Sequence, residues 1–96
     1  MGTTIKYNDA LNILGGVVRK YRIKRNMSLE QISCKMQELG IHISAASIYK
    51  IENNERCIKD FELVGLSIVL GFSLEKELKN FKLKLQKIFK EQKRIL

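Results

Sequence analysis

The sequence predicts an all-α protein of five helices. Apolar residues recur in steps of three and four along most of the chain, which is the spacing of one face of a helix. The 96 residues include six glycines and no proline, so helices can run without built-in breaks. No stretch alternates apolar and polar residues for long enough to predict a strand. The length fits a single domain, or one domain with an appended element.

The first helix is predicted to begin near Asp9, because aspartate caps helix N-termini by accepting a backbone N–H bond. Two glycines interrupt the pattern, and either Gly15 or Gly16 could instead mark the true start. Asn26 is expected to end the helix, since asparagine tolerates a positive φ better than most residues. The apolar face predicted for this helix consists of Leu11, Leu14, Val17, Val18 and Tyr21.

The second and third helices are predicted from serine caps. Ser28 and Gln31 have the spacing of a capping box, which predicts a helix that begins after Ser28 and ends at Gly40. The buried face of this helix is predicted to be Leu29, Ile32, Met36 and Leu39. Ser44 then caps a third helix over residues 45–53. The inward residues of the third helix are expected to be Ile48 and Ile51.

The fourth helix is predicted to be capped by Asp60 and ended by Gly71 in a left-handed conformation. Its apolar residues are Phe61, Val64, Ile68 and Leu70. Ser73 is predicted to cap a fifth helix. Glu75 and Glu77 lie in the first turn of that helix, where they complement the positive end of the helix dipole.

The fifth helix is predicted to run from residue 74 to about residue 94 as an extended basic amphipathic helix. Its apolar residues follow a heptad pattern, and the seam they form contains Leu78, Phe81, Leu85 and Ile88. Three uses of this seam are open: pairing with a second copy, packing on its own domain, and lying on a membrane surface. We favour pairing over self-packing, and either of these over the membrane.

The net charge of +8 is unevenly distributed along the chain. Residues 1–40 carry a net +4, residues 41–74 a net −1 and residues 75–96 a net +5. Two basic segments around a nearly neutral middle indicate an anionic partner such as nucleic acid or a membrane surface. No apolar run approaches the ~18 residues of a membrane span, and residues 1–20 lack a signal-peptide pattern. We therefore expect a cytoplasmic protein without a membrane partner.

No combination of residues points to catalysis. Cys34 and Cys57 fit no metal or disulfide spacing, and His42, the single histidine, is expected to be an exposed loop residue. The chain has no Cys-His or Ser-His pair whose sequence spacing is typical of a catalytic site, no glycine-rich phosphate loop and no metal motif. The sequence therefore predicts that the protein is not an enzyme, and indicates no cofactor, metal or small-molecule ligand.

Five fragments stand in a characteristic order between residue 14 and about residue 78. They are residues 15–22, 27–32, 43–54, 60–63 and 70–73. Their order and spacing resemble the lambda-repressor/Cro-like (XRE-type) helix-turn-helix transcription regulators. The resemblance implies a helix-turn-helix DNA-binding domain over residues 1–73, in which the third helix enters the major groove. The basic C-terminal helix, residues 74–96, would be appended to this domain for dimerisation or self-packing.

The resemblance also implies roles for individual residues. Ala45, Ala46 and Lys50 match positions that meet base edges, where lysine can donate to guanine and alanine methyls can touch the thymine methyl. The remaining implied DNA contacts are Ser28, Ser44, Ser47 and Tyr49. Arg22 and Glu52 are expected to form a scaffold pair. The alternatives are a solvated surface charge for Lys50 and simple helix formers for Ala45 and Ala46.

The expected function is sequence-specific binding of double-stranded DNA as a homodimeric transcriptional regulator, and specifically a repressor. The recognition helix is poor in Arg and Gln, however, so direct readout of bases would be sparse. This favours an alternative in which the fold serves as a protein-interaction module or an antitoxin-like partner protein.

Overall fold

The computed structural model describes residues 6–95. Residues 1–5 of the predicted DNA-binding domain and residue 96 of the predicted C-terminal helix lie outside the described residues. Five helices occupy this range, with no strand in it, so the all-α prediction is confirmed. The helices are α1 (Gly15–Lys24), α2 (Leu29–Glu38), α3 (Ala45–Glu52), α4 (Asp60–Leu70) and α5 (Leu74–Ile95).

The start of α1 lies at Gly15, as the alternative given above allowed, and the prediction of a start near Asp9 is wrong. Asp9 has a φ of 65°, which a right-handed helix cannot accommodate. It belongs to a tight turn in which Tyr7 and Ala10 exchange backbone hydrogen bonds of 3.0 and 2.8 Å. The first turn of α1 is instead capped by Asn12, whose Oδ1 accepts the Gly15 N–H at 2.7 Å.

Local capping signals define the ends of α1, α2 and α5 as the sequence predicts. Asn26 follows α1 with a φ of 54°. The capping box of α2 is present, since Ser28 Oγ accepts the Gln31 N–H at 3.1 Å and Gln31 Oε1 accepts the Ser28 N–H at 2.8 Å. Ser73 Oγ accepts the Lys76 N–H at 3.2 Å, which caps α5.

The core lies between α1, α2, α3 and α4. Seven side chains in it are fully buried: Val18, Ile32, Met36, Ile48, Ile51, Leu66 and Leu70. Full burial of an aliphatic side chain of this size contributes about 1.5–3 kcal/mol. The inward positions predicted for α3 are therefore confirmed, and these contacts hold α3 against α1 and α2.

The buried face of α4 differs from the one that its apolar residues suggest. Leu70 is buried, but Phe61, Val64 and Ile68 are exposed. Apolar residues lie all round this helix, so spacing alone could not select the inward face. Gly65 selects it, because a Cβ there would meet the side chains of Ile41 and Met36. The outward residues of α4 line an apolar groove of about 480 Å³ with Leu39 and Ile41.

The cap of α4 also differs by one residue from the prediction. Asp60 is the first residue of the helix, and Lys59 occupies the cap position. The lysine side chain has no acceptor atom for a backbone N–H of the first turn. Instead, the side chain of Glu62 accepts the backbone N–H of Lys59 through Oε1 at 2.9 Å. Gly71 ends α4 with a φ of 72°, as expected.

The fifth helix extends away from the other four and shares no extended packing surface with them. Its ring contact with the N-terminal turn joins Tyr7 and Phe81 edge to face, with ring centroids 5.1 Å apart. Leu78, Leu85 and Ile88 are exposed. None of the helices in the described part of the chain has the length and apolar character needed to cross a membrane.

Candidate nucleic-acid interface

The connection between α2 and α3 is held by two hydrogen bonds to backbone carbonyls, one donated by the backbone and one by a side chain. Gly40 adopts a φ of 82° after α2, which turns the chain so that the Ile41 N–H reaches the Met36 carbonyl at 3.0 Å. Ser33 Oγ then donates to the Ile43 carbonyl at 2.6 Å. Because Ile43 directly precedes the cap of α3, this bond fixes the start of α3 relative to α2.

The helix α3 buries one side and exposes the other. Ile48 and Ile51 are fully buried. On the outer side Ser44, Ala46, Tyr49 and Lys50 are exposed, and Ala45 and Ser47 are half-buried. The structure thus brings six of the predicted contact residues together on α3 and its N-cap. The seventh, Ser28, is exposed at the cap of α2.

Two serines at the start of α3 are hydrogen-bonded to each other. Ser44 Oγ accepts the Ser47 N–H at 3.1 Å and donates to Ser47 Oγ at 3.0 Å. A hydroxyl has one hydrogen to donate, and Ser44 uses it in this contact. The hydroxyl hydrogen of Ser47 remains available to an external acceptor such as a phosphate or a base.

An ion pair joins the end of α3 to α1. The Arg22 guanidinium donates to both carboxylate oxygens of Glu52, at 2.7 and 3.0 Å, and to the Met27 carbonyl at 3.3 Å. The Glu52 side chain is only 2% exposed. The bonds to Glu52 raise the pKa of Arg22 above its ordinary value, so the guanidinium stays charged. This pair therefore fixes the end of α3 relative to α1.

A second anchor at the end of α3 uses two asparagines. Asn54, with a φ of 61°, accepts the Leu11 and Asn12 N–H groups at 2.6 and 3.2 Å. Asn12 Nδ2 in turn donates to the carbonyls of Ile51 and Arg56 at 3.0 and 2.9 Å. This network escaped the sequence analysis, because two asparagines 42 positions apart form no local pattern.

An ion pair between a half-buried arginine and a buried glutamate fixes the segment between α3 and α4. Arg56 donates to both oxygens of Glu62 at 2.8 and 2.9 Å, and Glu62 is 2% exposed. Burial by itself would raise the pKa of Glu62. The hydrogen bonds from Arg56 and from the Lys59 N–H outweigh this effect and hold the pKa below its usual value. The sequence analysis missed this pair as well, since its two members lie on opposite sides of a turn.

Exposed cations surround this scaffold on several elements. Arg19 and Lys20 are exposed on α1, Lys50 on α3, and lysines recur along α5. Lys20 and Lys24 lie over the Tyr21 ring, with their Nζ atoms 5.9 and 5.5 Å from its centroid. In the described range, no cluster of three His, Cys, Asp or Glu side chains could hold a metal ion. The exposed side chains named above supply hydrogen-bond donors and positive charge.

Comparison with known proteins identifies a family for this chain. The family model described as helix-turn-helix matches residues 18–76, which is more than half of the chain. The matched range contains α2, α3 and α4 together with most of α1. No curated protein and no solved structure matches the chain.

Proposed function

The chain belongs to the lambda-repressor-like (XRE-type) helix-turn-helix family of DNA-binding regulators, and from this we propose that it binds specific double-stranded DNA sites as a homodimer and represses transcription. Repression would follow from occupying a promoter, because a protein seated in the major groove blocks access to the same DNA. The observation that carries the proposal is α3, which exposes the side opposite Ile48 and Ile51 and is anchored at both ends.

The anchoring matters because base readout needs a rigid helix. The Ser33–Ile43 bond fixes the start of α3, and the Arg22–Glu52 pair fixes its end. Side chains held by packing and hydrogen bonds lose little further freedom on binding, so more of the contact energy appears as affinity. The scaffold thus supports α3 as the element that enters the major groove.

We assign base contacts to Lys50, Ala45 and Ala46. The ammonium of Lys50 is a donor for guanine O6 and N7, and the alanine methyls fit the thymine methyl. Ser47 supplies the free hydroxyl hydrogen for a base or phosphate. Ser28 and Tyr49 are assigned to the phosphate backbone, which sets the position of the protein without reading sequence. Ser44, which donates its hydroxyl hydrogen to Ser47, is assigned to orienting the Ser47 hydroxyl.

We assign homodimer formation to the seam of α5, where a second copy of the chain would bind. Leu78, Leu85 and Ile88 are exposed along one side of α5, with Phe81 half-buried between them. A two-fold dimer would place two α3 helices on the two halves of a palindromic site, about 34 Å apart. The lysines of α5 would add affinity that does not depend on sequence.

A second candidate function is that of a protein-interaction module or antitoxin-like partner. The observation that favours it is the apolar groove formed by Phe61, Val64 and Ile68 of α4 with Leu39 and Ile41. Monomeric soluble proteins rarely expose large contiguous apolar patches without a partner. In this case α3 would serve as part of the scaffold, and binding to duplex DNA would be weak or absent.

The salt dependence of affinity for a duplex separates the two functions. For a DNA-binding dimer that neutralises about six phosphates, log K should fall with log salt at a slope of about −5. Fluorescence anisotropy with a labelled duplex between 50 and 200 mM salt measures this slope. If the wild-type protein shows no binding at the lowest salt, the regulator is ruled out and the interaction module is favoured.

A further inference from the structure

A closed turn precedes the body formed by α1–α4. Tyr7 and Ala10 exchange two backbone hydrogen bonds, of 3.0 and 2.8 Å. Between them Asn8 and Asp9 both have a positive φ, of 47° and 65°, as in the tight two-residue turns that connect antiparallel chain segments. Because the turn is closed, the place of Tyr7 depends on where residues 11–12 are held.

The residues after this turn are held at the end of α3. Asn54 Oδ1 accepts the N–H groups of Leu11 and Asn12 at 2.6 and 3.2 Å. Asn12 Nδ2 donates at 3.0 and 2.9 Å to the carbonyls of Ile51, in α3, and Arg56, which follows α3. Ile51 is fully buried in the core. The turn is therefore tied to the element that the proposed function places in the major groove.

The turn contacts α5 through the ring of Tyr7. This ring meets Phe81 edge to face, with the centroids 5.1 Å apart. Lys84, one helical turn further along α5, lines a cleft of about 330 Å³ together with both rings. The half-buried positions in the first half of α5 are Leu74, Glu77 and Phe81. Their spacing of three and four residues places them on one side of the helix, and this side faces the turn.

The body thus holds α5 at two points. The first is the connection through residues 71–73, and the second is Phe81, about 10 Å beyond Leu74 at 1.5 Å per residue. Since α5 shares no extended packing surface with the other helices of the described range, loss of the second point would free it to pivot about the first. A pivot of about 20° would displace Leu85, about 16 Å from Leu74, by about 6 Å.

We propose that Tyr7 sets the separation of the two DNA half-sites, by fixing the direction of α5 relative to α3. The inference rests on the homodimer proposed above, in which two copies pair through the α5 seam. Leu85 and Ile88, the seam residues beyond the Tyr7 contact, are 40% and 41% exposed, and so are open to a second copy. A displacement of about 6 Å per copy exceeds the rise of one base pair, about 3.4 Å. The direction of α5 therefore decides which separation both α3 helices can reach at once.

A panel of duplexes tests this positioning role. Each duplex carries the two half-sites that the wild type enriches from a randomised pool, with their separation varied in steps of one base pair. Fluorescence anisotropy at one salt concentration gives the affinities of the wild type, Tyr7→Ala and Tyr7→Phe. The wild type and Tyr7→Phe, which keeps the ring, should lose affinity about tenfold or more one base pair away from the preferred separation, because a rigid pair cannot engage both half-sites there.

Tyr7→Ala should respond to the separation differently. It should bind more weakly at the preferred separation, because a helix that can pivot must be ordered on binding. One base pair away it should lose less than about threefold further. The Tyr7 side chain lies outside the buried core cluster, so the variant should remain folded, which circular dichroism checks. A purely structural role for Tyr7 predicts the same loss of affinity at every separation, and that result would overturn the proposal.

The same panel separates failure of this inference from failure of the proposed function. If the wild type enriches no paired half-sites, the homodimeric regulator is ruled out and the inference falls with it. If the wild type requires one separation and Tyr7→Ala requires it equally strictly, the regulator stands and the role of Tyr7 is wrong. The role is also wrong if the wild type binds all separations alike.

Discussion

Replacing Arg56 with methionine is expected to destabilise the protein by about 3 kcal/mol or more. The substitution leaves the carboxylate of Glu62 buried without its ion-pair partner, and breaking a buried pair on one side typically costs about 3–5 kcal/mol. Chemical denaturation followed by circular dichroism measures the change. The double variant Arg56→Met/Glu62→Met is the matched control. It should recover most of the lost stability, because both partners become apolar.

The Arg56–Glu62 pair also predicts that the contribution of Glu62 to stability changes with pH in opposite directions in the wild type and in Arg56→Met. In the wild type the pKa of Glu62 lies below that of an unfolded glutamate, about 4.3, so its contribution to stability is present at neutral pH. That contribution is lost as the pH falls through the folded pKa. In Arg56→Met, burial should raise the pKa of Glu62, and the contribution should then increase as the pH falls. If the free energy of unfolding of Arg56→Met lies within about 1 kcal/mol of the wild-type value at pH 7, the pair does not contribute to stability as described.

Replacing Gly15 with alanine is expected to destabilise the protein by about 2–3 kcal/mol. A Cβ at Gly15 would collide with the Ile51 carbonyl oxygen and lie 2.8 Å from Asn12 Oδ1. The obstacle is backbone on one side, so α1 and α3 would have to separate, and overpacking of this kind costs about 1–3 kcal/mol. For a domain of this size the melting temperature should fall by about 10–20 °C.

The neighbouring glycine provides a matched control for this substitution. A Cβ at Gly16 would meet nothing within 4 Å, and Gly16 lies inside α1. Gly16→Ala should therefore stabilise the protein by about 0.5–1 kcal/mol, because alanine loses less backbone entropy in a helix. Equal melting temperatures for the two variants would show that α1 and α3 do not approach each other as closely as the structure has them.

The elements that could be predicted from sequence are those set by local contacts. Ser28, Ser44 and Ser73 each cap a helix through a backbone N–H three residues later, so their signals lie within four residues of sequence. The resemblance to XRE-type regulators is likewise confirmed by the family match over residues 18–76. The spacing of Ile48 and Ile51 was sufficient to orient α3, because the helix contains no other large aliphatic residue.

The features that could not be predicted depend on contacts that leave no periodic or capping pattern in the sequence. Asp9 has the composition of a helix cap, yet the turn between Tyr7 and Ala10 places it at a positive φ. The inward face of α4 depends on the fit of Gly65 against Met36, which no periodicity reveals. The Asn12–Asn54 and Arg56–Glu62 contacts need the tertiary fold before their partners can be identified.

Selection from a randomised duplex pool, followed by sequencing, tests sequence-specific recognition by α3 most directly. The wild type and Lys50→Ala are selected in parallel at the same salt concentration. We expect the wild type to enrich a palindromic motif, and Lys50→Ala to lose about 1–3 kcal/mol of discrimination at one base pair of each half-site. If neither protein enriches a motif while both bind with the same salt dependence, α3 does not read sequence and the assignment of Lys50 is wrong.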